Sequence, residues 1–136
     1  MIKPIVKDTI FLGGKSGEAT ENDRQIITDL KDTLAANRER CVGMAANMIG
    51  YRKRIIIVAM GPKSVVMVNP VILQKSFPYE AEEGCLSLEG VRKARRFRKI
   101  RVRFLDEDFR PQTKDYEGFA AQIIQHECDH LEGVII

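Results

Sequence analysis

The spacing of apolar positions changes several times along this chain, and each change predicts a different element. Ile26, Ile27, Leu30 and Leu34 recur at helical spacing. They follow Thr20-Glu21-Asn22-Asp23, which has the form of a capping box, and Arg38 and Arg40 stand where a helix end favours cations. A helix over about 21–38 is therefore expected. Ile55-Ile56-Ile57-Val58 is instead a continuous apolar run of strand length. Val65-Val66-Met67-Val68 is a second, and Gly61-Pro62-Lys63-Ser64 supplies the turn of a hairpin over 54–68. Asn69-Pro70 is expected to end that hairpin, with Val71-Ile72-Leu73 as a further short strand. From Ile100 the period becomes two, with Ile100, Val102 and Phe104 inward and Arg101 and Arg103 outward. Asp106–Pro111 reads as a hairpin turn and 112–116 as a weak polar strand. After Gly118 the helical period returns, in a stripe of Phe119, Ala120, Ile123, Ile124, His130 and Leu131. Residues 1–20 read as an arm and loop, with Thr9–Leu12 as a short apolar piece before Gly13-Gly14-Lys15-Ser16-Gly17.

These elements predict an α+β fold: small mixed or antiparallel sheets packed round one histidine-bearing helix, with a second helix nearer the N-terminus. With 136 residues and 44% hydrophobic content, residues 1–136 are expected to form one domain with one core. Three cysteines without a short-range framework argue against a disulfide-stapled secreted protein. The opening Met1-Ile2-Lys3-Pro4-Ile5-Val6-Lys7 lacks a signal-peptide core, and the apolar run Ile55–Met60 is too short to cross a bilayer. A cytoplasmic protein without a membrane partner is expected. A net charge of +3 does not point to a nucleic acid. The densest basic stretch, Arg92–Arg103, reads as a solvated strand face, so no specific nucleic-acid partner is expected.

Chemistry enters with the final dozen residues. His126 and His130, the only two histidines, are four apart, with Glu127 directly after the first. On a helix that spacing puts both imidazoles on one face, about 5–6 Å apart, close enough to share a metal ion. Glu127 then lies about 100° round the helix, where a carboxylate can take a proton from an attacking water and hand it on. A catalytic centre of this kind needs a third protein ligand and one open position. Gly133 fits the pattern of metalloproteases that use a third downstream histidine, but the position that should be histidine is Ile136. Nor is there room after His130 for the distant glutamate that another class uses. The third ligand is therefore sought upstream, where Cys41 and Cys85 are the soft donors; Cys128 would project from the wrong side of the helix. Cys85 is chosen, because Gly84 permits close backbone approach and the amides that follow, Leu86 first, can meet a developing oxyanion.

Glu83-Gly84-Cys85-Leu86-Ser87 together with His126-Glu127-Cys128-Asp129-His130 resembles two of the three motifs of the peptide deformylases, metallohydrolases that remove the formyl group from the N-terminal methionine of new bacterial proteins. Cys41-Val42-Gly43-Met44-Ala45-Ala46-Asn47-Met48 is similar to the third, G-x-G-x-A-A-x-Q. Val68-Asn69-Pro70 and Leu131-Glu132-Gly133-Val134 extend the likeness. The resemblance implies iron(II) held by Cys85, His126 and His130, with zinc, nickel or cobalt as substitutes. It implies Glu127 and the Leu86 amide as catalytic groups, and Val42, Gly43, Met48, Gly84 and Arg92 as substrate contacts. Val42 and the inner face of the histidine helix would border a methionine pocket, and Arg92 would hold peptide carbonyls or a carboxylate. Glu83 would be hydrogen-bonded near the metal ligands and orient them. Asp129 is expected to pair with an arginine of the basic stretch, Arg96. The implied partners are N-formylmethionyl peptides and, through the nascent chain, the ribosome. Relatives commonly continue past this point in a strand or helix, and contacts made by such an extension are expected to be absent.

Two positions depart from the family pattern. Met48 stands where relatives have a glutamine whose amide donates to the oxyanion, and a thioether has no proton to give. Loss of one such donor typically costs about 10²–10³ in turnover. Cys41 replaces the first glycine and narrows whatever approach that glycine allowed. The expected function is deformylation of formylmethionyl peptides. The alternative, motivated by Met48, is a weakly active or inactive relative that binds metal and formylated peptides. The lack of a downstream third ligand argues against a general metallopeptidase.

Overall fold

The computed structural model describes residues 1–134, so Ile136, the position weighed above as a third histidine, lies outside them. The first helix is unexpected: Asp8 accepts from the amides of Ile10 and Phe11 and caps a single turn, α1 (Thr9–Leu12), within the segment read as a loop. A 3-10 turn, Glu21–Asp23, carries the Thr20/Asp23 capping box and leads into α2 (Arg24–Ala36). Its Ile26, Ile27, Leu30 and Leu34 are buried as their spacing requires.

Five strands follow: β1 (Gly43–Ala45), β2 (Ile55–Met60), β3 (Lys63–Cys85), β4 (Leu88–Leu105) and β5 (Pro111–Glu117), before α3 (Gly118–Leu131). The α+β class is as expected, and of the mixed or antiparallel sheets expected the structure has the antiparallel form. These strands form one sheet in chain order, and every pair is antiparallel. Short turns between consecutive strands permit antiparallel pairing and leave no length for crossovers. Outside the strands, a parallel bridge joins Gly17 to Lys53. The run Ile55–Val58 is wholly buried because β2 packs against both α2 and α3. No helix among the described residues is long and apolar enough to cross a membrane.

Three boundaries differ from expectation, each for a physical reason. Residues 41–50, read as a turn, hold β1 and a 3-10 turn, Ala46–Ile49. Asn69-Pro70 does not end β3. Asn69 takes a positive φ of 51°, its side-chain carbonyl accepts from the Ala19 amide at 2.8 Å, and its NH2 donates to the Ala19 carbonyl at 3.0 Å. The side chain thus acts as a strand neighbour, and the ladder to β4 shifts register between Val68 and Val71 and continues to Cys85. β4 begins at Leu88 rather than Ile100. Ile100, Val102 and Phe104 point inward as expected, but so does Arg96, only 3% exposed. Four of the outward cations face acids across the ladders: Lys93 opposite Glu82 and Arg95 opposite Glu80 on β3, Lys99 opposite Glu117 and Arg101 opposite Asp115 on β5.

The end of α3 is locked directly after its second histidine. The Gly133 amide donates to the His130 carbonyl and the Val134 amide to the Asp129 carbonyl, both at 3.0 Å, with Gly133 at φ 78°. A Cβ there would lie 2.5 Å from the Gly13 carbonyl oxygen, which ties the helix end to the N-terminal segment.

Replacing Asn69 by alanine removes both bonds to Ala19 and strains a left-handed backbone, so Asn69→Ala is expected to lose about 2 kcal/mol of stability in urea unfolding.

Candidate active site

Cys85 is the last residue of β3, and a two-residue turn, Leu86-Ser87, returns the chain into β4. The hairpin end therefore presents a sulfur to α3, where His126 and His130 sit one turn apart. Their ring centroids are 4.7 Å apart and nearly perpendicular. The Nε2 atoms lie 3.0 Å from each other, and Cys85 Sγ is 3.5 Å from His130 Nε2. The three donor atoms all fall within 4.8 Å of one another. Tetrahedral coordination at the usual bond lengths sets two nitrogens about 3.3 Å apart and sulfur and nitrogen about 3.6 Å apart, so the set fits one divalent ion.

The ring orientations agree. His126 Nδ1 is 2.7 Å from Glu83 Oε1, and a carboxylate can only accept, so Nδ1 carries the hydrogen and Nε2 of the neutral ring is a lone pair. That lone pair faces His130 Nε2, an arrangement that a cation or a shared proton must relieve. In the metal-free protein burial opposes charge on His126, but hydrogen bonds to Cys85 and Glu83 outweigh it and raise its pKa, while burial and the neighbouring charge lower that of His130.

Glu83 is the anchor of this arrangement. Arg96 reaches it through Nε at 2.9 Å to Oε2 and Nη2 at 2.6 Å to Oε1, and reaches Asp129 through Nη1 at 2.6 Å. The Asp129–Arg96 pair expected from the sequence is present. Burial by itself would raise the Glu83 carboxyl, but hydrogen bonds from His126, Arg96 and Gln122 prevail and hold it down at about 2.

Glu127 has the opposite character. It is 4% exposed, its Oε1 lacks a hydrogen-bond partner among the described residues, and burial pushes its carboxyl up to about 7. Gly43 on β1 makes this position possible: a Cβ there would lie 2.5 Å from Ile123 Cγ2 and 2.9 Å from Glu127 Oε2. In front of these groups opens a cavity of about 450 Å³, lined by Val42, Gly43, Met48, Gly84, Cys85, Leu86, His126 and Glu127 among others. Most of the residues singled out in the sequence are thus brought together. Arg92 is not. It pairs across the ladder with Glu83, donates to the Glu89 carbonyl at 3.1 Å, and does not line this cavity, which Arg40 does.

Met48 is 1% exposed, and its sulfur accepts from the Ala45 amide at 3.4 Å. The neighbouring Asn47 turns away from the cavity and donates to the His130 carbonyl at 2.9 Å, so its amide does not replace the missing glutamine. Cys41 lines the cavity and donates to the Gly43 carbonyl, with burial pushing its thiol up to about 12. Sequence reasoning missed Phe119 and Gln122 as cavity residues. Phe119, expected in the core-facing stripe, is 63% exposed at the cavity. Counting back from His126 by helical steps (Ile123, Gln122, Phe119) would have found both.

A sulfur and two imidazoles converging on one point, beside a carboxylate that burial leaves ready to hold a proton, is the architecture of a mononuclear metallohydrolase. The statistical model of the polypeptide deformylase family matches residues 11–136. A peptide deformylase of Clostridium beijerinckii is 60% identical over 136 residues, the whole of both chains. Among solved structures, the Met-Ala-Ser-bound class I type b peptide deformylase of Acinetobacter baumannii superposes with a TM-score of 0.89 at 30% identity, covering 99% of this chain and 97% of its own. The peptide deformylase of Thermotoga maritima gives a TM-score of 0.89 at 30% identity, covering 99% and 95%. This chain belongs to the peptide deformylase family.

Two outcomes follow from Glu127 and Gly43. The folded carboxyl keeps its proton up to about pH 7 against an ordinary 4.5, so the folded state binds more protons between those values and this group's contribution to stability falls as pH rises. Glu127→Gln is expected to abolish turnover and yet make the metal-free protein more stable than metal-free wild type at pH 8, by up to ~3 kcal/mol, with no gap at pH 4. Urea titrations at the two pH values check this. Gly43→Ala forces Glu127 aside and is expected to lower turnover at least about tenfold while destabilising by ~1–3 kcal/mol, read from initial rates and thermal midpoints.

Proposed function

We propose that this protein is a metal-dependent amidohydrolase that removes the formyl group from N-formylmethionyl peptides of nascent proteins, and that it works in the cytoplasm where such chains emerge at the ribosome. The observation that carries the reading is Glu127: a buried carboxylate with an unpartnered oxygen, beside three convergent soft and borderline donors. Cys85, His126 and His130 are the proposed ligands, and iron(II) the proposed ion, with zinc, nickel or cobalt able to take its place. An ion held there supplies a Lewis acid that acidifies water and polarises a formyl oxygen.

The chain's own groups supply the rest. Glu127 takes the proton of the attacking water and returns it to the departing amine, a double role suited to a carboxyl near pH 7. The Leu86 amide, in a turn after the last ladder pair and at the cavity, donates to the oxygen that becomes negative. Glu83 keeps His126 in the tautomer that leaves Nε2 free. Val42, Phe119 and Ile123 offer apolar surface to a methionine side chain, with Gly43 and Gly84 leaving room for peptide backbone. The tripeptide Met-Ala-Ser, bound in the Acinetobacter relative, has the sequence expected of a product.

Formyl-Met-Ala-Ser turnover and metal analysis on one anaerobic preparation test this. Formate release in proportion to bound metal is expected; background rates at full metal loading would instead mark a protein that binds formylated peptides without processing them. Met48→Gln restores a donor at a site of nearly equal volume and is expected to raise turnover about tenfold or more. An unchanged rate would mean that another group already fills that place.

A further inference from the structure

The Glu83 carboxylate receives a donor that no motif includes. Gln122 Nε2 donates to Glu83 Oε2 at 3.0 Å, while His126 Nδ1 meets Oε1 at 2.7 Å. Gln122 is one helical turn before His126, so a single face of α3 delivers an amide to one carboxylate oxygen and an imidazole to the other. The Arg96 fork grips the same carboxylate from β4, but a guanidinium–carboxylate pair can rock as a unit. A further donor on Oε2, from the helix that carries the ligands, opposes that motion. The amide could in principle turn over and present its oxygen to Glu83, which would repel. The carboxylate itself forbids this, since it can only accept; the Tyr79 hydroxyl, 3.4 Å from Gln122 Oε1, donates to the oxygen that is left and holds the amide in place.

We propose that Tyr79 and Gln122 are positioning residues for His126: the Tyr79 hydroxyl steadies the Gln122 amide by its oxygen, the amide braces the Glu83 carboxylate, and the carboxylate aims the imidazole at the metal. This rests on the reading of Cys85, His126 and His130 as ligands. Gln122 also lines the cavity, whereas Tyr79 does not. The relay therefore predicts that a hydroxyl outside the cavity affects how firmly the ion is held.

The test uses zinc-loaded wild type, Gln122→Leu and Tyr79→Phe, with no substrate present. The readouts are the rate of zinc loss to an excess chelator and the thermal midpoint of each metal-free protein. Gln122→Leu, close in volume but without the donor, is expected to lose zinc about tenfold faster, in line with the effects of removing groups that orient ligands. Tyr79→Phe is expected to lose it two- to threefold faster, on the order expected for a relayed bond. Metal-free midpoints should stay within about 2 °C of wild type. Unchanged zinc loss in both variants, or faster loss in Gln122→Leu with wild-type loss in Tyr79→Phe, overturns the relay. Should Gln122→Leu fail to fold, Tyr79→Phe decides alone. Wild type that retains no zinc overturns the ligand assignment itself, so the two failures are told apart.

Discussion

The structure depends on one buried carboxylate. Glu83, near the end of β3, accepts from Arg96 on β4 and from His126 and Gln122 on α3, and Arg96 passes on to Asp129. Two ions out of water are costly to hold, and removing one partner of such a set leaves an uncompensated charge. Here the cost is offset because both oxygens of Glu83 and all three guanidinium nitrogens of Arg96 meet an opposite or donating group at hydrogen-bond distance. The same contacts fix how the long hairpin lies against the helix. The sulfur at the hairpin tip and the imidazoles on the helix can therefore meet with the spacing a small ion requires.

Stability and chemistry pull apart within a few ångströms of that anchor. Glu83 is ionised and fully partnered, whereas Glu127, one residue along from His126, keeps an oxygen with no partner and a raised pKa. The Nε2 atoms of His126 and His130 lie 3.0 Å apart, a crowding of nitrogens that a cation or a shared proton relieves. Gly43 permits the crowding, since any side chain at that point would occupy the space of the Glu127 carboxylate. Carboxylates of opposite character in one small volume are what acid–base chemistry at neutral pH demands.

The histidine pair, its glutamate and the cysteine were legible because metal ligation restricts residue type and spacing more tightly than packing does. The capping box, the buried run of β2 and the alternation after Ile100 were legible because period reports burial. What escaped has a common cause. Arg96 was expected to meet Asp129, but its burial and its second partner, Glu83, were not foreseen, because the stretch around it is dense with charge and reads as surface. Asn69 reads as a terminator because its role is played by a side chain bonding to Ala19, fifty residues away. Phe119 reads as core, since a helix stripe that faces a cavity has the same period as one that faces protein. Arg92 was placed by offset from Cys85, but the register that sets it opposite Glu83 turns its head toward Glu89 instead.

The proposed ligands are divided between a strand tip and a helix some forty residues further along the chain. During synthesis the thiol is made before β5 and before either imidazole exists to join it. Until α3 is added the sulfur has neither nitrogen beside it. The three donors therefore meet only once the last helix has packed on the sheet, a dependence that a site built from one contiguous segment would not have.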